Sequence, residues 1–201
     1  MYDFFMIFGL PFILGIASSI FFWLIFAFVL VPRIKFAPKI SKLESKTSNS
    51  GYKYDIKMEN SGYREIIDLQ FYVRLRVKGL DVEYPDNYQV DYLPIRDKQL
   101  PRLKRHSGHT RSIIITLLQG NYDDFDPTMY PKKIQEAIKA KAIKLEDLLE
   151  INKDSQLQLI VFAFDKLSGT RKIFETQYTK DDIEEGEYEK NSLNIKKAKA
   201  K

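Results

Sequence analysis

The chain has 201 residues, a formal net charge of +5 and no cysteine, which leaves out a disulfide-stapled scaffold and a thiolate metal site. With 44% hydrophobic and 29% charged residues it is neither disordered nor collagenous by composition. The mean hydropathy of −0.32 hides two populations, because eight of the fourteen Phe precede Arg33 while eleven of the twelve Tyr follow it.

From Phe4 to Pro32 there are 29 consecutive uncharged residues, and fourteen of the twenty from Phe12 to Val31 are Leu, Ile, Phe or Val. At about 1.5 Å per residue such a run covers a hydrocarbon core of about 30 Å, so residues 1–32 are expected to be a transmembrane anchor, about Phe4 to Val31. A cleaved signal peptide fits poorly, since the leader is acidic and the apolar core is too long. Arg33, Lys35, Lys39 and Lys42 follow the run, and no basic residue precedes it. The positive-inside rule then places the short N-terminus outside and the body in the cytoplasm, with these four cations at the lipid headgroups of a cell inner membrane. Within the anchor, Gly15 and Ser19, with Ser18 beside them, form a small-residue step along which two helices can pack.

Residues 33–180 read as one domain. Ile34, Phe36 and Ile40 alternate with polar residues, as do Tyr52, Tyr54, Ile56 and Met58, and both segments predict half-buried strands. The clearest strand sets Ile67, Leu69, Phe71, Val73, Leu75 and Val77 against Asp68, Gln70, Tyr72, Arg74, Arg76 and Lys78. Shorter strands are expected at Tyr88–Leu93 and Arg111–Leu118. Leu157–Phe164 is apolar on both faces and predicts a central strand covered on each side, followed by a hairpin into Lys172–Tyr178. At about 131–151, Ile134, Ile138, Leu145, Leu148 and Leu149 recur at helical spacing and predict a helical insertion. Residues 181–201 read as a polar charged tail, partly disordered. Seven strands and one helical excursion give the fold class expected for the body: mainly β, an antiparallel immunoglobulin-like β-sandwich with a helical insertion. A small barrel is the alternative.

Local catalytic motifs are missing, including Gly-x-x-x-x-Gly-Lys-Ser/Thr, Gly-x-Ser-x-Gly and His-Glu-x-x-His, so no catalytic residue and no cofactor are assigned. His106 and His109 supply two metal ligands at most, short of the four a closed site needs, and no metal is expected. Asp123, Asp124 and Asp126 lack the Gly and distal Glu of a calcium loop. Arg96, Lys98, Arg102, Lys104, Arg105 and Arg111 fall within sixteen residues that hold one acid, Asp97, and form a candidate anion-binding loop. Lipid headgroups suit it better than nucleic acid, for which no stacking module is evident. The small-molecule ligand, if the loop has one, stays unassigned.

Val31-Pro32-Arg33-Ile34-Lys35 and Pro38-Lys39-Ile40-Ser41 at one end, with Phe162-Ala163-Phe164-Asp165 and Ser168-Gly169-Thr170-Arg171-Lys172 at the other, resemble bacterial single-pass membrane proteins of unknown function with a sandwich-like cytoplasmic domain. Some proteins of that build accompany anti-phage systems. The residues and this resemblance together lead to a membrane-anchored, non-enzymatic interaction or sensor module with a protein partner or a homo-oligomeric state. Two other readings use the same features: a membrane-disrupting defence effector, or an accessory subunit of a transporter or envelope complex.

Overall fold

The computed structural model describes residues 9–25, 32–62, 64–81, 83–104, 112–120, 122, 125–166 and 169–197. Helix α1, Leu10–Leu24, carries Pro11 in its first turn, where the missing amide costs no hydrogen bond. It has 15 residues, about 22 Å by the usual rise. Among the described residues no helix is long and apolar enough to cross a membrane. The span expected over Phe4 to Val31 therefore lacks support at that length; residues 4–8 and 26–31 lie outside the described residues.

Eleven strands are described: β1 (Ile34–Phe36), β2 (Ile40–Glu44), β3 (Tyr52–Asn60), β4 (Ile66–Lys78), β5 (Tyr88–Tyr92), β6 (Gln99–Leu103), β7 (Ser112–Leu117), β8 (Gln156–Asp165), β9 (Arg171–Tyr178), β10 (Ile183–Tyr188) and β11 (Ile195–Lys197). Helices α2 (Lys132–Lys139) and α3 (Leu145–Leu149) lie between β7 and β8. The strands make two sheets. In the first, β3 pairs with β7 on one edge and with β1 and β2 on the other, β2 pairs with β10 in parallel, and β10 pairs with β11. In the second, β4 pairs with β8 on one edge and with β5 and β6 on the other, and β8 pairs with β9.

The fold is mainly β, as read from the sequence, and the two sheets share one core. Tyr54, Ile56, Met58, Ile115 and Leu117 from the first sheet meet Leu69, Phe71, Val73, Leu75, Leu157, Leu159 and Val161 from the second. Alternation explains this: every second residue of each strand points inward, and those are the apolar ones. Ile134 and Ile138 of α2 and Leu145, Leu148 and Leu149 of α3 join the same cluster, so the helical segment is part of the core. Its side is fixed by Glu146, which takes an ion pair from Lys42 at 2.7 Å and a hydrogen bond from the Tyr54 hydroxyl.

Several elements differ from the sequence expectation. The first strand is two strands, because Pro38 has no amide to donate and interrupts the ladder after β1. In β4 the period slips: Asp68 has φ 50° and the pairing with β8 shifts between Ile67 and Gln70. This bulge turns Ile66 rather than Ile67 into the core. β8 is central in its sheet, between β4 and β9, and on its outer side Gln158 and Ile160 are buried while Phe162 and Phe164 are half-buried. The segment read as a polar tail carries β10 and β11 instead. Past Gly186, whose φ is 142°, this hairpin turns out of the sheet. Its Tyr188 hydroxyl donates to the carbonyls of Lys39 at 2.5 Å and Asp55 at 3.1 Å.

Candidate functional site

The sequence-predicted cation sites are dispersed by the fold. Lys42 is turned onto Glu146, and Lys39 donates to the Asp182 carboxylate and the Asp181 carbonyl, each at 2.9 Å. Two of the four juxtamembrane cations are thus engaged inside the domain, while Arg33 and Lys35 are exposed. The expected anion-binding loop is in part a strand, β6. Arg96 pairs with Asp97 at 3.1 Å beside the first sheet, whereas Arg102 lies on the second sheet, 3.1 Å from Glu65. Lys98 lines a separate pocket, and Lys104 is exposed. Arg105 and Arg111, like His106, His109, Asp123 and Asp124, lie outside the described residues. Asp126 accepts the Thr128 amide at 2.9 Å as a turn residue. In α1 the Ser19 hydroxyl donates to the Gly15 carbonyl at 2.9 Å, so its hydrogen bond is made within the helix. Ser18 is exposed, and nothing lies within 4 Å of a Cβ built on Gly15, which leaves that face open.

Two concave regions stand out. On the outer face of the first sheet, a cleft of about 1230 Å³ runs between the β10–β11 hairpin and β7. Its floor holds Asp55 and Lys57, which are 3% and 5% exposed. Each is engaged: Asp55 accepts from Thr116 at 2.7 Å and Lys53 at 2.6 Å, and Lys57 Nζ donates to the carbonyls of Glu189, Lys190 and Ser192. The Asp55 bonds lie within the sheet and the Lys57 bonds hold the hairpin to it, which is the structural work buried charge must do to be tolerated.

The second region is the outer face of the second sheet. Register sets its rows: Tyr92 beside Arg74 and Gln158, Val90 beside Arg76, Tyr72 beside Ile160 and Glu175, and Phe162 beside Ile173. Tyr72 meets both Tyr92 and Phe162 edge to face, with ring centroids 6.3 and 5.5 Å apart. Arg76 lies over the Tyr88 ring at 4.6 Å and Arg171 over the Phe162 ring at 4.5 Å. Ile173 is 63% exposed and Tyr92 45%, so the patch is open. Where β5 and β6 part company along β4, a pocket of about 390 Å³ opens, walled by Tyr72, Tyr92, Leu93, Pro94 and Ile95, with Lys98 among its lining residues.

Charge on this face is uneven. Arg74, Arg76, Lys78, Arg102 and Arg171 lie on this side with Glu175 and the bulge residue Asp68, and Lys78 and Arg102 are paired at its edges with Asp86 and Glu65. Hydrogen bonds from Gln158 and Gln177 hold Glu175 below the usual carboxylate range. Gln158 in turn accepts from Arg74 Nη2 at 2.6 Å, and Arg74 Nε finds no acceptor among the described residues. Behind the face, burial pushes Asp91 up despite a 2.6 Å hydrogen bond from Tyr130, and burial pushes Tyr130 up as well.

Alternation in β4 already exposed Tyr72, Arg74, Arg76 and Lys78 as a wet face. Tyr92, Phe162, Arg171 and Ile173 were missed because only cross-strand register brings them beside it. Among the described residues no group of three or more His, Asp or Glu is placed to hold a metal. No protein-family model matches the chain, and no curated protein matches it in sequence.

Proposed function

We propose that this chain is a membrane-anchored, non-enzymatic interaction module of a bacterial inner membrane, docking partners through the outer face of its second sheet. The observation that carries the reading is the pairing, in one chain, of two uncovered surfaces of different kinds. One is α1, which has no charged and no buried residue and leaves Phe12 69% exposed. A helix that is apolar all round needs lipid or protein about it. The other is the Tyr–Arg sheet face, whose residue types are those that dominate binding energy at protein interfaces. The strand order supports the immunoglobulin-like form of the sandwich: β1/β2, β3 and β7 correspond to strands A, B and E, and β5, β4, β8 and β9 to C′, C, F and G.

The absence of cysteine makes topology directly testable. A single cysteine replacing Asp3 should be labelled by an impermeant maleimide in intact cells, and one replacing Ser50 only after the cells are permeabilised. Labelling of both from the same side rejects the proposed orientation. Photo-crosslinkers at Tyr92 and Ile173 in native membranes should give protein adducts, and recovery of uncrosslinked chain alone rejects the docking role.

A further inference from the structure

We propose that the partner seated on this face is an acidic polypeptide segment that places one apolar side chain in the pocket between β5 and β6. The inference rests on the docking role above and names the partner's chemistry. Five cations lie on this side with Glu175 and Asp68, and Glu175 is already bound by Gln158 and Gln177. Lys78 and Arg102 have carboxylate neighbours in Asp86 and Glu65, but Arg76 and Arg171 lie over aromatic rings. Stacked in that way, a guanidinium keeps its N–H edge for a carboxylate, and Arg suits bidentate pairing.

The same geometry disfavours single-stranded nucleic acid, although Arg and aromatic residues are both present. Bases need open, parallel ring faces to stack on. Here Arg76 and Arg171 cover the Tyr88 and Phe162 faces, and Tyr72 meets its neighbours edge to face. The pocket is small, near the low end of the roughly 300–1,000 Å³ of ligand sites, and its walls are the apolar parts of Tyr72, Tyr92, Leu93, Pro94 and Ile95. It fits one anchoring side chain, with Lys98 in its lining and Arg74 opposite Tyr92 on the neighbouring strand, the arrangement of a buried anchor with a polar rim.

The test is selection of random twelve-residue displayed peptides on the full chain held in nanodiscs of neutral lipid. Enriched peptides should be rich in Asp and Glu around one Phe, Leu or Trp. Binding of a selected peptide should weaken at least about tenfold in the Arg76→Glu, Arg171→Glu double variant and, separately, in Tyr92→Ala, all residues being at the surface. Unchanged denaturation midpoints exclude misfolding, and if the double variant unfolds, Tyr92→Ala and Ile173→Ala decide. The inference is overturned if no peptide is enriched, if neutral or basic peptides are, or if the variants bind as well. It is also overturned if a single-stranded RNA oligonucleotide, phosphatidylglycerol vesicles or a second copy of the chain occupies the face instead. Adducts at Tyr92 in native membranes without acidic-peptide binding would sink this inference and leave the docking role standing; loss of both would remove the docking role too.

Discussion

Asp165 ends β8 almost fully buried, its carboxylate 2.6 Å from Arg64 Nη1 while its backbone carbonyl accepts the Gly169 amide at 2.8 Å. Arg64→Ala removes a cation from that buried carboxylate, and should cost about 3 kcal/mol, the lower end for breaking a buried pair. A chemical denaturation curve of the full chain in micelles measures it as a fall in midpoint at constant slope. Asp91 works in the opposite sense. Because burial raises its folded pKa above the ordinary 3.8, the folded state binds more protons between that value and the raised one. Stability therefore falls as pH rises through that window and is regained on acidification toward it. The bond from Tyr130 opposes the rise. Tyr130→Phe should push Asp91 higher still and destabilise the protein at neutral pH by about 1 to 2 kcal/mol, seen by carboxyl titration in NMR and by denaturation. Neither pair could be read from sequence, since Arg64 lies 101 positions from Asp165 and Asp91 lies 39 from Tyr130. Lys42 teaches the same lesson: proximity to the apolar run suggested a headgroup contact, and a glutamate 104 residues away took it instead.

Among the elements, the C-terminal hairpin departs furthest from the linear pattern. Its run of Glu184, Glu185, Glu187 and Glu189 has the composition of a solvated tail, yet β10 finds an open edge on β2, and Lys57 caps three carbonyls beyond it. On the sheet side it is held by Ser41 and Lys57, ordinary strand positions, and the returning chain itself brings Tyr188. Gly186 is where this turn is most constrained. A Cβ there would overlap the Lys196 carbonyl oxygen and the Ile195 side chain, at a φ that other residues avoid. Gly186→Ala should therefore release the hairpin, raising amide exchange over 183–197 while β4 and β8 stay protected. Equal loss of protection in β4 and β8 would show the hairpin to be part of the global unfolding unit. β6 escaped notice for a related reason: Gln99–Leu103 contains Pro101 and two polar residues, and only its pairing with the first part of β4 marks it as a strand.

At the scale of the molecule, the proposal places α1 in one solvent and the domain in another. Ile16→Arg puts a charge in the middle of α1, and should oppose insertion by about 2.5 to 3.5 kcal/mol. The expected outcome is a loss of chain from the membrane fraction after carbonate extraction; undiminished membrane retention would mean that α1 is held by something other than lipid. By itself the sequence determined that the chain divides at Arg33 between an apolar run and a strand-rich body. It also set most strand positions, because a period of two and a break at Gly or Pro are local properties. Only the tertiary structure decided which cations are neutralised, where the C-terminal acids go and which side chains share the outer face of the second sheet. Those outcomes depend on register between strands far apart in the chain. A residue at one position meets its neighbour across the sheet, and no spacing along the chain encodes that meeting.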